Sequence, residues 1–182
     1  MRVITGSARG MRLETLEGID VRPTAERLKE AELSIIQFEI EGRNVLDLFA
    51  GSGQLGIETL SRGAKSATFV DANVEAVKII RGNLERTGLT QLASVAAGDF
   101  AQFLTYTKAV FDIVFIDPPY GKSLADKALP LVASHMADTG VIICEVARSD
   151  KLPDGSAGFT LVRQGNYGKA KLGVYRKSTG MC

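Results

Sequence analysis

The chain has 182 residues, 45% of them hydrophobic and 24% charged, and a formal net charge of +1. This composition excludes a disordered chain, which could not bury enough apolar surface to offset its conformational entropy, and no apolar stretch reaches the roughly 18 residues of a membrane span. With two cysteines, one histidine and no apolar secretory signal after Met1, the sequence predicts a cytosolic, monomeric, single-domain protein (1–182) without a metal ion or a membrane segment.

The N-terminal segment contains two short strand-like stretches. Arg2–Thr5 and Gly10–Leu16 flank the turn-prone residues 6–10, which predicts a basic β-hairpin extension over residues 1–18. A helix is expected to follow near Thr24, whose side chain is a suitable N-cap. We expect this hairpin to lie apart from the cofactor-binding loop described below, because it precedes the sheet.

Charge is unevenly distributed along the chain. Residues 1–13 carry three arginines and no acid, and residues 155–182 carry five basic residues and no acid. Residues 14–154 therefore hold a charge of −7. Basic ends around an acidic middle are what a local phosphate-binding face requires, and basic termini that serve only solubility are the alternative.

From Asn44 onward, short apolar stretches alternate with helical stretches. The apolar stretches are typical of strands buried in a parallel sheet, and they are Val45–Phe49, Ala67–Asp71, Ala93–Ala97, Phe111–Asp117 and Val141–Val146. The helical stretches are Gln54–Ser61, Asn73–Thr87, Phe100–Tyr106 and Ser123–Met136. Such alternation predicts a doubly wound α/β sheet that binds ligands at the carboxyl ends of its strands.

The C-terminal part has the pattern of a β-hairpin. Phe159–Gln164 and Lys171–Arg176 are separated by residues 165–168, which include two glycines and an asparagine. The sheet of the core, residues 44–177, is therefore expected to end antiparallel. We expect Lys169 and Lys171, at the opening of this hairpin, to lie away from the ligand-binding edge.

A glycine-rich loop follows the first buried strand. Gly51, Gly53 and Gly56 match G-x-G-x-x-G at a junction between a strand and a helix. Asp71 ends the next strand, 20 residues after Gly51, where a carboxylate could accept hydrogen bonds from both hydroxyls of a ribose. The motif predicts a nucleoside cofactor, and glycines that serve helix packing alone are the alternative.

Two further acids bear on which cofactor binds. Asp47 lies just before the glycine loop, where it would repel a dinucleotide pyrophosphate but suits the cationic amino-acid tail of S-adenosylmethionine. Asp99 follows the third strand and could accept a hydrogen bond from an adenine amino group. A helix cap is an equally good interpretation of Asp99.

The fourth strand ends in Asp117-Pro118-Pro119-Tyr120. Proline has no backbone donor, so a carbonyl here is free to accept from a ligand together with the Asp117 carboxylate. Two such acceptors can hold both hydrogens of an exocyclic amino group, and the Tyr120 ring can stack on the base. This arrangement aligns the nitrogen lone pair with a reactive methyl group.

These motifs resemble the class I S-adenosylmethionine-dependent amino-methyltransferases. Five further segments narrow the resemblance to the bacterial RsmD-type family. They are the opening of the chain, Arg22-Pro23-Thr24, the sequence leading into Gly51-Ser52-Gly53, Ser61-Arg62-Gly63-Ala64, and Tyr167-Gly168. The resemblance covers residues 1 to about 177. It implies a Rossmann-like seven-stranded sheet, a basic N-terminal hairpin facing RNA, and methylation of the 2-amino group of one guanine in 16S ribosomal RNA or a small-subunit pre-ribosomal particle.

The motifs and the resemblance together assign candidate residues to three sites. The catalytic candidates are Asp117, Pro118, Pro119 and Tyr120. The cofactor-binding candidates are Asp47, Phe49, Gly51, Ser52, Gly53, Asp71, Ala72, Asp99 and Phe100. The RNA-binding candidates are Arg2, Arg9, Arg12 and Arg22.

Three other residues receive no catalytic role. His135 is interpreted as a helix C-terminal cap and Cys144 as a small buried strand residue, while Glu145 could face the site without a specific function. Two alternative functions are a DNA adenine-N6 methyltransferase, which would normally need a separate target-recognition region, and a non-catalytic nucleotide-binding module or small dehydrogenase.

Overall fold

A computed structural model describes residues 1–16, 23–121 and 123–178. Its strands are Asn44–Leu48 (β1), Ser66–Asp71 (β2), Ala93–Ala97 (β3), Phe111–Ile116 (β4), Met136–Ala147 (β5), Phe159–Tyr167 (β6) and Ala170–Lys177 (β7). Its helices are Pro23–Ile35 (α1), Gln54–Ser61 (α2), Val74–Thr87 (α3), Phe100–Tyr106 (α4) and Leu124–Ala133 (α5), with a 3-10 turn over Thr90–Leu92. Arg22 and Cys182 lie outside the described residues.

The strands form one sheet in the order β3-β2-β1-β4-β5-β7-β6. The first five pair in parallel, whereas β7 pairs antiparallel with β5 and with β6. The chain therefore reverses its direction of strand addition between β1 and β4. Ligands bind at such a switch point in open α/β sheets, because the flanking loops diverge there and leave a crevice. The predicted fold class and antiparallel end are confirmed.

Two apolar layers hold the helices against the sheet. Alternate strand residues point to opposite faces, so Val45 packs with α1, α2 and α3 while Leu46 packs with α4 and α5. Both faces of the central strands are buried, which is why those strands are apolar almost throughout. Asp47 lies on the same face as Val45, beneath α1 and α2, and is an acidic residue buried inside this core.

The N-terminal hairpin is much shorter than predicted. In place of two strands, its described residues form one isolated antiparallel bridge, between Arg2 and Arg12, with backbone hydrogen bonds from Val3 to Met11 and from Leu13 to Met1 on either side. The reason is that neighbouring backbone donors bond to α2 instead of to a partner strand. The N–H groups of Ile4 and Thr5 donate to the buried Glu58 carboxylate at 2.8 and 2.9 Å, so the hairpin is attached to helix α2.

Helix α5 ends earlier than the predicted Met136. Its last residue is Ala133, because Met136 already pairs with Phe111 of β4 as the first residue of β5. The His135 Nδ1 atom lies 3.0 Å from the Leu131 carbonyl oxygen, as expected of a side chain that caps a helix C-terminus.

The expectation for the β6–β7 hairpin was wrong in one respect. Its turn, at Gly168 and Lys169, lies beside the carboxyl end of β5, because Ala170 pairs with Ala147 and the Arg148 N–H donates to the Lys169 carbonyl at 2.8 Å. An antiparallel strand begins beside the end of its neighbour, and β7 therefore begins beside the end of β5. The exposed Lys169 therefore lies at the ligand-binding edge of the sheet.

Candidate functional site

The glycines of the loop between β1 and α2 are needed for different structural reasons. Gly51 and Gly53 have φ angles of 56° and 75°, in the left-handed region that favours glycine. A Cβ at Gly56 would lie 2.3 Å from the Phe69 ring, so this position serves the packing of α2 on the sheet. A Cβ at Gly51 would meet nothing within 4 Å, so its backbone faces open space where a ligand can approach.

Asp71, at the end of β2, holds this loop. Its Oδ2 accepts a hydrogen bond from the Gly51 N–H at 2.8 Å, and its Oδ1 accepts one from the Asn73 N–H at 2.8 Å. Each carboxylate oxygen has a second lone pair, so both can also accept from a ribose hydroxyl. The geometry thus combines loop support with an acceptor for a nucleoside.

A cavity of about 360 Å³ opens beside Asp71, a volume within the ordinary range of small-molecule sites. Its lining joins the carboxyl ends of β1, β2, β3 and β4. Seven of the lining residues are predicted site residues: Phe49, Asp71, Ala72, Asp99, Phe100, Asp117 and Pro119. The rings of Phe49 and Phe100 lie 5.0 Å apart and give the cavity an apolar wall. The structure therefore brings together residues that were predicted separately from four strand ends.

Asp99 caps helix α4. Its Oδ1 accepts from the N–H groups of Ala101 and Gln102 at 2.9 and 3.1 Å, while the residue also lines the cavity. Capping uses one oxygen and leaves Oδ2 for a ligand. Both interpretations of Asp99 are therefore compatible, and adenine recognition stays a prediction.

Asp47 is almost completely buried behind the loop. Its Oδ2 accepts from the Gly56 N–H at 2.9 Å, which stabilises the start of α2. Burial raises the pKa of Asp47 to about 7, against the lowering effects of the Gly56 hydrogen bond and of Lys29. The predicted contact with a cationic amino-acid tail would favour the ionised form, because a nearby positive charge lowers a carboxyl pKa.

The catalytic candidates form the end of β4. Pro118 is buried, Pro119 is exposed, and Tyr120 is 48% exposed, so its ring is available to a ligand. A second cavity, of about 290 Å³, is lined by Pro118, Pro119 and Tyr120 together with the end of β5. Both cavities are lined by Pro119 and Leu124, so the two spaces meet at this strand end.

Glu145 belongs to the same site, although sequence reasoning assigned it no role. It is 7% exposed, and its carboxyl accepts a hydrogen bond from the Tyr120 hydroxyl and lies within hydrogen-bonding reach of Asp117. Burial raises the pKa of both carboxyls, that of Glu145 to about 8. A glutamate inside the apolar stretch of β5 was the available signal.

Helix α1 adds Glu32 and Lys29, which the motifs did not reveal. Glu32 is 1% exposed, and its Oε2 atom has no hydrogen-bond partner among the described residues. Burial raises the pKa of Glu32 well above its usual value, and the negative charges of Asp117 and Glu145 add to this. Lys29, hydrogen-bonded to Gln54, lowers the pKa values of the surrounding acids.

The N-terminal arginines lie on the surface. Arg2, Arg9 and Arg12 are exposed, and the bridge places Arg2 opposite Arg12. Like charges in opposed positions are unfavourable unless an anion lies between them. The fourth candidate, Arg22, lies outside the described residues, and the contribution of the arginines to RNA binding stays a prediction.

The expectation that the N-terminal segment lies apart from the glycine loop was wrong. Asn83 of α3 is fully buried, and its Nδ2 donates to the carbonyl oxygens of both Glu14 and Ser52 at 3.0 Å. Its Oδ1 accepts from the Glu14 N–H at 2.8 Å. Leu16 also lines the 360 Å³ cavity, so the segment reaches the predicted cofactor site.

No group of three or more acidic, histidine or cysteine side chains is arranged to hold a metal ion in residues 1–16, 23–121 and 123–178. Over the same part of the chain, no helix has the length and hydropathy needed to cross a membrane.

Comparison with known proteins shows a family match over nearly the whole chain. A family model described as "Conserved hypothetical protein 95" matches residues 1–176. YlbH of Bacillus subtilis (strain 168) is 35% identical over 182 residues, covering 97% of this chain and 99% of that protein. "Ribosomal RNA small subunit methyltransferase D" of Haemophilus influenzae is 31% identical over 180 residues, covering 97% and 93%. The structure of yhhF from Escherichia coli has a TM-score of 0.84 at 30% identity, covering 97% of both chains.

Proposed function

The chain belongs to the Conserved hypothetical protein 95 family, the RsmD-type family that its motifs resemble, and we propose that it methylates the 2-amino group of a guanine in small-subunit ribosomal RNA in the cytoplasm, with S-adenosylmethionine as methyl donor. One observation carries the proposal: a cofactor-sized cavity and a second cavity meet at Asp117-Pro118-Pro119-Tyr120. A methyl donor in the first cavity and a base in the second would place their reacting atoms on either side of this strand end.

The residues of the first cavity suit an adenosine with a charged tail. Asp71 would accept from the ribose hydroxyls, Asp99 would accept from the adenine amino group, and the open backbone at Gly51 would allow close approach. Phe49 and Phe100 would cover the apolar face of the base. When bound, S-adenosylmethionine would supply an electrophilic methyl carbon, with its sulfur as the leaving group.

The strand end prepares the guanine nitrogen for this reaction. The lone pair of an aromatic amino group is delocalised into the ring, so the nitrogen is a weak nucleophile. The Asp117 carboxylate and the Pro118 carbonyl accept its two hydrogens, which orients the lone pair and stabilises the positive charge that develops on nitrogen. Tyr120 stacks on a base that has been turned out of the RNA. The amino proton leaves to solvent after transfer, so no protein base is required.

The test supplies purified protein with labelled S-adenosylmethionine and small-subunit RNA, either naked or in particles from a strain that lacks the corresponding gene. We expect label in N2-methylguanosine after digestion, identified by mass spectrometry. Label in N6-methyladenosine, or none with either substrate, would contradict the proposal. We expect Asp117→Ala to lower turnover by about 100-fold or more, as loss of an aligning acceptor does, without weakening S-adenosylhomocysteine binding.

The matched control for Asp117→Ala is Asp138→Ala. Asp138 is an exposed acid near the start of β5, at the opposite edge of the sheet from the two cavities. Its removal changes the net charge equally, so we expect normal turnover. A loss of turnover in Asp138→Ala as large as in Asp117→Ala would show that the effect does not come from the site.

A further inference from the structure

The pairing of β4 with β5 brings two carboxyl groups together. Ile116 lies beside Cys144 in this parallel pair, so Asp117 and Glu145 emerge at the same level of the carboxyl edge. The two carboxyl groups lie within hydrogen-bonding reach of each other. The Tyr120 hydroxyl donates to Oε1 of Glu145 from the loop that follows β4. Glu145 thus joins two of the predicted catalytic residues.

Two adjacent carboxyl groups can form a hydrogen bond only when one of them holds a proton, because two carboxylates have no donor between them. Glu145 is the better site for that proton. It is 7% exposed, whereas Asp117 is partly open to the cavity. Burial and the neighbouring Asp117 charge raise the pKa of Glu145 to about 8, with Lys29 acting in the opposite direction.

Among the described residues, Lys29 is the one cationic group that acts on the pKa of Glu145. Strand β7 places Leu172 beside it. The ionisable groups that face it are Asp117 from β4, Tyr120 from the following loop, and Lys29 and Glu32 from α1. One ammonium group among three carboxyls leaves an excess of negative charge, which further favours retention of a proton.

We propose that Glu145 is a positioning residue that acts as a neutral carboxylic acid, donating a hydrogen bond to the Asp117 carboxylate and accepting one from the Tyr120 hydroxyl. One oxygen of Asp117 is thereby turned toward Glu145, and the other is left to accept from the target amino group. The ring of Tyr120 is held at one end while its faces stay open for stacking. This role rests on the proposed methyl transfer.

Two variants separate the neutral acid from the anion. Glutamine has nearly the same shape as a protonated glutamic acid, with an N–H donor for Asp117 and a carbonyl acceptor for Tyr120. Glu145→Gln therefore keeps both hydrogen bonds and has no proton to lose. Glu145→Ala removes both, and Tyr120→Phe removes only the bond to the hydroxyl.

The experiment measures kcat for RNA methylation from pH 6 to pH 9.5 in the wild type and these three variants. Wild-type kcat is expected to fall above about pH 8, where Glu145 loses its proton and repels Asp117. Glu145→Gln should keep most of the activity at pH 7 and lose this alkaline decline. Glu145→Ala should lose about 10- to 100-fold in kcat at every pH, with unchanged S-adenosylhomocysteine binding.

A second readout does not depend on catalysis. Carbon-13 NMR of protein labelled at glutamate carboxyl groups should show one resonance that titrates near pH 8 and is missing from Glu145→Gln. A Glu145→Gln protein as inactive as Glu145→Ala, or one with the wild-type alkaline decline, would overturn the proposal. If the wild type methylates no RNA, the proposed function fails, whereas the NMR titration still decides whether Glu145 holds a proton.

Discussion

Replacement of Asp71 by alanine tests the cofactor site most directly. The change removes the acceptor for the Gly51 and Asn73 N–H groups, both at 2.8 Å, and the predicted acceptor for the ribose. A hydrogen bond to a charged acceptor contributes about 1.5–3 kcal/mol. Loss of one such bond to the ligand weakens affinity about 10- to 150-fold, since about 1.4 kcal/mol corresponds to a factor of ten. Calorimetric titration with S-adenosylhomocysteine measures this change.

Asp112 provides a matched control at the other end of the sheet. Like Asp71, it accepts from a backbone N–H, that of Asn44 at 2.9 Å, and it also binds Arg43 at 3.1 Å. Asp112 lies near the start of β4, away from the carboxyl edge. Asp112→Ala should therefore lower thermal stability without changing S-adenosylhomocysteine affinity. Unchanged affinity in Asp71→Ala, or equal weakening in both variants, would refute the assignment of Asp71 to the cofactor.

Two further predictions concern charge. Replacing the three exposed arginines of the N-terminal hairpin (Arg2, Arg9 and Arg12) by alanine should reduce the slope of log RNA affinity against log salt by up to about 3. Adding Lys169→Ala to this variant should reduce the slope by up to about one more. A slope equal to that of the wild type would mean that these charges only aid solubility. Burial raises the pKa of Asp47 from 3.8 to about 7, so the folded state holds a proton that the unfolded chain releases, and this contribution to stability is lost as pH rises from about 4 through 7. In urea unfolding, the free energy of unfolding of Asp47→Asn relative to that of the wild type should therefore increase by up to about 4 kcal/mol between pH 4 and pH 8. A difference in free energy that is independent of pH would contradict the raised pKa.

Much of the fold was predictable because its signals are local. Each strand of the parallel part is a short apolar stretch, and each helix has its apolar residues at helical spacing, so type and order follow from neighbouring residues. The glycine loop and the Asp117-Pro118-Pro119-Tyr120 segment are contiguous as well. The resemblance to the RsmD-type family rests on these same segments, and the family model over residues 1–176 confirms it.

The predictions that were wrong depend on contacts between distant segments. The hairpin strands were over-predicted because the donors of Ile4 and Thr5 bond to Glu58, which lies more than 50 residues away. Lys169 was placed at the wrong edge, because its position follows from the antiparallel pairing of β7 with the far end of β5. Neither contact has a signal in the residues nearby.

The sequence by itself determined which residues could do chemistry at the strand ends, and only the tertiary structure decided which of them act together. Glu145 is one acid in an apolar stretch until the register of β4 against β5 places it beside Asp117. Glu32 and Lys29 are ordinary residues of an amphipathic pattern until α1 packs over the sheet. The physical reason is that backbone preference is a property of neighbours in sequence, whereas burial, shared protons and raised pKa values arise from neighbours in space.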